Sequence, residues 1–215
     1  MTLEVWGTSW QRRPLELHRL GTGPVGLLLL GVMHGDEPAG EYFCHQLLAE
    51  VAEQPGLLGS QTLLVCPVVN PDGLALGTRQ NARGVDLNRN FPTRDWALGP
   101  AGERYYGGPE PASEPETQAL MQLVQTEKPG RIVTIHADLH NLNYDGPAQA
   151  LAEAMAGENG YTLAPDIGYP TPGSFGGYAG RERSIPTITL ELPEGDGVAL
   201  WPANRTALLR ALTYR

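Results

Sequence analysis

In the segment 27–40, LLLLGVMHGDEPAG, four leucines run straight into His34, Asp36 and Glu37. An imidazole and a carboxylate three residues apart, where an apolar run gives way to glycine and proline, can share one cation. Two further junctions of this kind occur. The run GRIVTIH (130–136) ends on His136, and IPTITLELP (185–193) carries Glu191 near its end. Two histidines and one glutamate, with a fourth position open, are the donor set of catalytic zinc. Asp36, beside Glu37, is expected to hydrogen-bond a ligand histidine from outside the metal. A histidine at a strand end is, taken singly, more often an ordinary core or surface residue, and short motifs misfire. The recurrence of such junctions, with a glutamate close by, is what favours a metal site.

The elements that must bring these residues together are legible in the apolar periodicity. Segments 25–32 and 61–69 are continuous apolar runs bounded by glycine, proline or asparagine, and read as buried strands. Between them, 38–54 has a helical period that puts Phe43, Leu47, Leu48 and Val51 on one face, with Pro38 in the first turn. Strand, helix and strand in this order form a βαβ unit. Further strands are expected over 130–136 and 185–193. Further helices are expected over 113–128, opened by a capping box of Ser113 and Glu116, over 147–160 and over 198–215. The alternation predicts an α/β fold: a single domain, 1–215, with a mixed, mostly parallel sheet flanked by helices. In open sheets of this kind ligands bind beyond the C-terminal ends of the strands, where His34, Glu37, His136 and Glu191 fall. The segment 71–108 is rich in Gly, Asn, Arg and Pro with little periodicity, and long irregular segments inside a domain are usually functional.

Bulk properties exclude several classes. At 215 residues the chain is long enough to bury a substantial core. Its net charge of −9 argues against nucleic acid or an anionic membrane as partner. No apolar run approaches the length of a membrane span, and the N-terminus lacks the basic-then-apolar order of an export signal. Cys44 and Cys66 have no zinc-site spacing and read as buried thiols. A cytoplasmic enzyme is expected, with its oligomeric state left open.

The segments VVNPDG (68–73), NARGVDLNRNFP (81–92), TIH (134–136) and TLELPEG (189–195) follow HGDE in that order. Together they resemble the zinc carboxypeptidase family, and within it the short bacterial murein peptide amidases, which cut the γ-D-glutamyl–diaminopimelate bond. The resemblance spans about residues 25–195. It implies one zinc ion held by His34, Glu37 and His136, with Glu191 as general base. Asn88 and Arg89 would grip the substrate's terminal carboxylate. Arg79 or Arg83, both ahead of the DLNR segment, would polarise the scissile carbonyl, and Tyr169 would be the family's mobile tyrosine.

The implied chemistry is self-consistent. Zinc brings the pKa of a bound water to about 7. A carboxylate then takes a proton and returns it to the leaving amine, and an arginine helps to stabilise the oxyanion. The planar fork of Arg89 suits a carboxylate bidentately. The expected partner is a small peptide with a free carboxylate beside the cleaved bond. Diaminopimelate also carries a far ammonium and a second carboxylate, and Asp138 and Asp145 are candidates to receive the ammonium. His140 is either a substrate contact or a loop histidine, and the glycine-rich segment 173–186 is a candidate substrate-side loop. Deacylases resembling succinylglutamate desuccinylase and aspartoacylase share the His–Glu–His pattern and a DLNR motif; NPDG and RNFP lean toward the peptidases. A non-enzymatic binder would have lost a ligand or the base, and all four residues are present.

Overall fold

A computed structural model describes residues 1–214. In chain order the strands are β1 (Thr2–Thr8), β2 (Pro14–Leu20), β3 (Val25–Leu30), β4 (Thr62–Cys66), β5 (Ile132–Ala137), β6 (Asn141–Asp145), β7 (Thr162–Ala164) and β8 (Thr187–Leu192). The helices are α1 (Ala39–Glu53), α2 (Pro71–Leu76), α3 (Pro115–Glu127), α4 (Gln149–Asn159) and α5 (Gly197–Thr213). One mixed eight-stranded sheet has the order β1-β2-β4-β3-β5-β8-β6-β7. Its middle, β4-β3-β5-β8, is parallel throughout. The flanks join through antiparallel pairs, β1 to β2, β2 to β4 and β6 to β8.

The parallel strands read as unbroken apolar runs because both faces are covered. Leu27 and Leu29 of β3 pack with Phe43, Leu47 and Val51 of α1, Leu151 of α4 and Leu208 of α5. Leu28 and Leu30 point the other way, toward Leu120 and Leu123 of α3 and toward Phe175 and Tyr178. All four leucines are essentially inaccessible. The residues expected on the inner face of α1 are all buried.

Four strands escape a reading by apolar runs. β1, at the sheet edge, is exposed or half-buried along its length, β2 alternates exposed and buried residues, β6 carries mostly polar side chains and β7 is only three residues long. The capping box is also absent. Ser113 donates to Glu114 at 2.7 Å, while Glu116 accepts the Trp10 N–H at 3.0 Å. Both side chains are taken by other partners, and α3 begins after Glu114 with no side-chain cap. The last helix ends at Thr213, and Arg215 of the expected span lies outside the described residues. Among the described residues no helix is long and apolar enough to cross a membrane.

Candidate active site

β3 ends at Leu30 and its chain turns over the sheet edge through 31–38 into α1. This turn needs glycine where two loops abut. A Cβ on Gly35 would lie 1.9 Å from the carbonyl carbon of Gly73. The HGDE and NPDG segments are therefore pressed together backbone to backbone. Asn70 fixes the contact: its side-chain oxygen accepts from Gly73 N at 2.8 Å, and its amide donates to Met33 O at 3.3 Å. His34 is thus held beside the mouth of the parallel core. His136 and Glu191 arrive on adjacent parallel strands as direct register partners.

Three side chains converge on one point. His34 Nδ1 lies 2.8 Å from Glu37 Oε1, His136 Nδ1 lies 2.9 Å from Glu37 Oε2, and the two Nδ1 atoms are 3.0 Å apart. Both rings and the carboxylate are almost excluded from solvent. Two imidazole nitrogens and a carboxylate oxygen crowded together in this way need a shared proton or a cation among them. The donors suit zinc in number and type. Their charges reinforce one another. Burial pulls the His34 pKa down, but the carboxylates of Glu37 and Asp86 more than reverse this and bring it to about 9. Burial opposes ionisation of Glu37, yet the two histidines hold it well below the usual carboxylate range.

Asp86, not Asp36, supports His34. Asp36 turns to solvent ahead of α1. Asp86 is fully buried, and its Oδ1 lies 3.1 Å from His34 Nε2. That bond leaves Nδ1 as the inward-facing lone pair. Asp86 also accepts from Arg79 Nε at 2.9 Å and from the Asn88 N–H at 2.9 Å. Burial disfavours its charge, but His34 and Arg79 keep it ionised and its pKa far below normal.

The two candidate arginines separate cleanly. Arg79 lines the cavity and its Nη1 comes within 3.5 Å of Glu37 Oε1. Arg83 faces away: it reaches Glu114 at 3.4 Å and stacks 4.5 Å over the Trp10 ring. Its expected catalytic role is corrected on this ground, since the loop turns between the two positions. Glu191 is 8% exposed, and its Oε2 has no hydrogen-bond partner among the described residues. Burial raises its pKa, with the attraction of His136 offsetting part of the rise.

Asn88 and Arg89 form one wall of a cavity of about 790 Å³ that also contains His34, Glu37, His136, Glu191 and Tyr169. The Asn88 side-chain oxygen accepts from Phe175 N at 2.8 Å, leaving its NH₂ group for the cavity. Arg89 is buried and donates from Nη1 to Asn88 O at 2.7 Å. Among the described residues it meets no carboxylate within ion-pair distance. Glycines clasp its backbone: a Cβ at Gly173 or Gly107 would lie 2.2 or 2.4 Å from Arg89 O. Tyr105 went unread in the sequence. Its ring lies 5.2 Å from both Arg79 and Arg89 and 6.3 Å from that of Tyr169. Nothing in the string RYYGG marks this position. Asp138 is exposed at the cavity mouth, and Asp145 is buried in its floor. His140 does not line the cavity and packs edge-on against Tyr161 at 4.5 Å.

A parallel-centred α/β sheet with a His–Glu–His donor set at its C-terminal edge, an orphaned glutamate beside it and a buried arginine in the wall defines a class: single-metal hydrolases. Residues 1–151 match the family model described as zinc carboxypeptidase. Murein peptide amidase A of Escherichia coli strain K12 is 37% identical over 179 residues, which cover 78% of this chain and 71% of that protein. Its counterpart in Vibrio campbellii is 35% identical over 184 residues, covering 78% of this chain and 69% of that one. The crystal structure of the murein-tripeptide amidase from Escherichia coli O157 superposes with a TM-score of 0.82 at 31% identity, over 100% of this chain and 93% of that one. Bovine thrombin-activatable fibrinolysis inhibitor, at 20% identity and a TM-score of 0.84 over 99% and 88% of the two chains, shares the fold. The chain belongs to the zinc carboxypeptidase family. It is a hydrolytic metalloenzyme, its cofactor is zinc, and the relatives place it with the peptidases and amidases and not with the deacylases.

Proposed function

We propose that the chain acts as one catalytic domain, 1–215, that hydrolyses the γ-D-glutamyl–diaminopimelate amide of murein peptides in the cytoplasm, as a step of cell-wall recycling. The observation that carries the reading is the unpaired Arg89 fork in the wall of the His34–Glu37–His136 cavity. Buried cations are normally paired, and here the pairing is left to a ligand. The names of the relatives supply the murein peptide. The free, buried thiols of Cys44 and Cys66 fit a reducing compartment.

His34, Glu37 and His136 would hold the zinc through two ring nitrogens and a carboxylate. When bound, the ion supplies a Lewis acid that activates water and polarises the scissile carbonyl. Arg89 and Asn88 bind the free α-carboxylate of the residue to be released, which fixes the amide across the cavity. Glu191 takes a proton from the attacking water and delivers it to the leaving nitrogen. Its raised pKa suits it to that exchange. Arg79 donates from its terminal nitrogens to the carbonyl oxygen as charge develops there, while Asp86 holds its Nε. Tyr169, half-exposed at the rim, closes over the bound residue and excludes water.

The test is a substrate panel on the zinc-loaded protein: L-Ala-γ-D-Glu-diaminopimelate, ordinary L-peptides and N-acyl amino acids. Release of diaminopimelate is expected. Amidating the substrate's carboxylate beside the cleaved bond should hurt the wild type badly and Arg89→Ala little, while Arg89→Lys rescues only in part because a point charge cannot replace the fork. Turnover of N-acyl amino acids in place of the peptide would overturn the reading.

A further inference from the structure

The geometry points to a second recognition site at the far end of the cavity floor: we propose that Asp145 and Arg181 together read an amino-acid zwitterion at the tip of the released residue's side chain. Asp145 takes the ammonium and Arg181 the carboxylate. The proposal rests on the reading above, in which the released residue is a diamino dicarboxylic acid.

The floor is set by strand register. On the antiparallel pair β6–β8, Asn141 faces Glu191, Asn143 faces Thr189, and Asp145 faces Thr187. Residues two apart share a face of a sheet, and Asn143, Asp145, Thr189 and Glu191 all line the cavity. They form a polar strip from Glu191 to Asp145. Asp145 lies at the far end of this strip from Glu191, beyond Asn143 and Thr189, so it faces the tip of a long side chain leaving the bond beside Glu191 and not a short one. Asn143 and Asp145 are 8% and 7% exposed. An aliphatic side chain laid along this strip would desolvate polar groups without compensation. A chain with a charged end would not.

The pair is half-used. Arg181 Nε meets Asp145 Oδ1 at 2.5 Å. Among the described residues, Asp145 Oδ2 and both terminal nitrogens of Arg181 have no hydrogen-bond partner. A carboxylate and a guanidinium fork side by side, each with capacity left, match an ammonium and a carboxylate borne on one carbon. The glycines of the 173–186 segment make room for this. A Cβ at Gly176 would lie 2.0 Å from Asp145 Oδ2, and one at Gly180 would lie 2.5 Å from Asp145 Cβ. The other aspartates of the cavity, Asp95, Asp138 and Asp166, are exposed loop residues with no cation within ion-pair distance among the described residues. As a device for stability the pair would be a poor one, because Asp145 is buried while its partner is 54% exposed.

The test compares three γ-D-glutamyl peptides ending in diaminopimelate, lysine or norleucine. Lysine is diaminopimelate without the far carboxylate, and norleucine lacks the ammonium as well. The wild type should prefer diaminopimelate to lysine by roughly a hundredfold in kcat/KM, the scale of a hydrogen bond to a charged group. Arg181→Gln should lower kcat/KM on the diaminopimelate peptide by a similar factor and bring that ratio toward one, with Arg181→Lys restoring part of it. Asp145→Asn should collapse the preference for lysine over norleucine. Because Asp145 is buried, its variant is read beside its thermal midpoint, and the wild-type panel stands without it. Equal turnover of all three peptides by the wild type, or an unchanged ratio in Arg181→Gln, overturns the proposal while the amidase reading stands. Failure to cleave any of the three, with N-acyl amino acids turned over, removes both.

Discussion

Replacing Asp86 by asparagine alters almost no volume, yet it strikes three contacts together. The two carboxylate oxygens accept from His34 Nε2 at 3.1 Å, Arg79 Nε at 2.9 Å and Asn88 N at 2.9 Å. All three partners are donors, so a carboxylate can satisfy them and an amide cannot. Whichever way the amide lies, its NH₂ faces a histidine or an arginine. Arginine has no acceptor to offer. With the NH₂ in the place of Oδ1, His34 Nε2–H and the Asn88 N–H both lose their acceptor; with it toward Arg79, His34 keeps only a neutral amide oxygen in place of a carboxylate. Either way the acceptor that fixes the Nε2–H tautomer is lost or weakened, and Nδ1 becomes a poorer donor to zinc. Orienting partners of this kind are worth about 10–100-fold in metal affinity, or roughly 1.4–2.7 kcal/mol. Asp86→Asn should therefore weaken the zinc Kd by that factor, measured by chelator competition at neutral pH on a variant shown to be folded. Turnover at saturating zinc should also fall, because Arg79 loses its tether. A folded Asp86→Asn protein that binds zinc as tightly as the wild type would refute the idea that Asp86 sets the His34 tautomer.

Three further outcomes are expected. Glu191→Gln should retain zinc by metal analysis and lose about a hundredfold or more in kcat; loss of zinc with activity would make Glu191 a ligand. Arg79→Ala should lower kcat by about a hundred- to a thousandfold, whereas Arg83→Ala should act on thermal stability through Glu114 and Trp10. Equal kinetic losses from both would contradict their separation in space. For the metal-free protein, His34 has a folded pKa of about 9 against an ordinary 6.5. Its contribution to stability is then complete below about 6.5 and is lost as pH rises through about 9. The thermal midpoint of the apo form should fall across that window and zinc uptake near pH 7.5 should release protons, so a flat midpoint and proton-free binding would count against the raised pKa.

The core and the convergent residues were legible because they share one physical cause. An apolar run buried on both faces is unmistakable, and in a parallel sheet all such runs deliver their last residues to the same edge. His34, His136 and Glu191 could be placed for that reason. Residues on irregular loops could not. Arg79 and Arg83 lie four residues apart in one loop, and only the turn between them decides which faces the cavity. The same holds for Tyr105, which has no apolar period to place it. Asp36 looked like the partner of His34 because it is near in sequence, but the chain turns it outward and a residue 52 positions away from His34 takes the role. β6 was missed because the cavity floor inverts its pattern: Asn143 and Asp145 are buried yet polar, so no apolar alternation remains.

How a chain of net charge −9 attracts an acidic peptide is answered within a few residues of the site. Arg79 and Arg89 both lie beside the Tyr105 ring, and both are largely buried. They are not equivalent. Arg79 is compensated by Asp86 and Glu37, which raise its pKa against the cost of burial. Burial lowers the pKa of Arg89, the attraction of Asp86 not making up for it, and no carboxylate of the described chain lies within ion-pair distance. The positive charge of Arg79 is thus spoken for by the protein and can act only through its direction, on a carbonyl oxygen. That of Arg89 is left for the ligand. The electronegative ring of Tyr105 eases the proximity of the two like charges. The overall negative charge is then offset where binding occurs, because the field of the site is local, set by Arg89 in the cavity wall and, when bound, by the zinc's own charge.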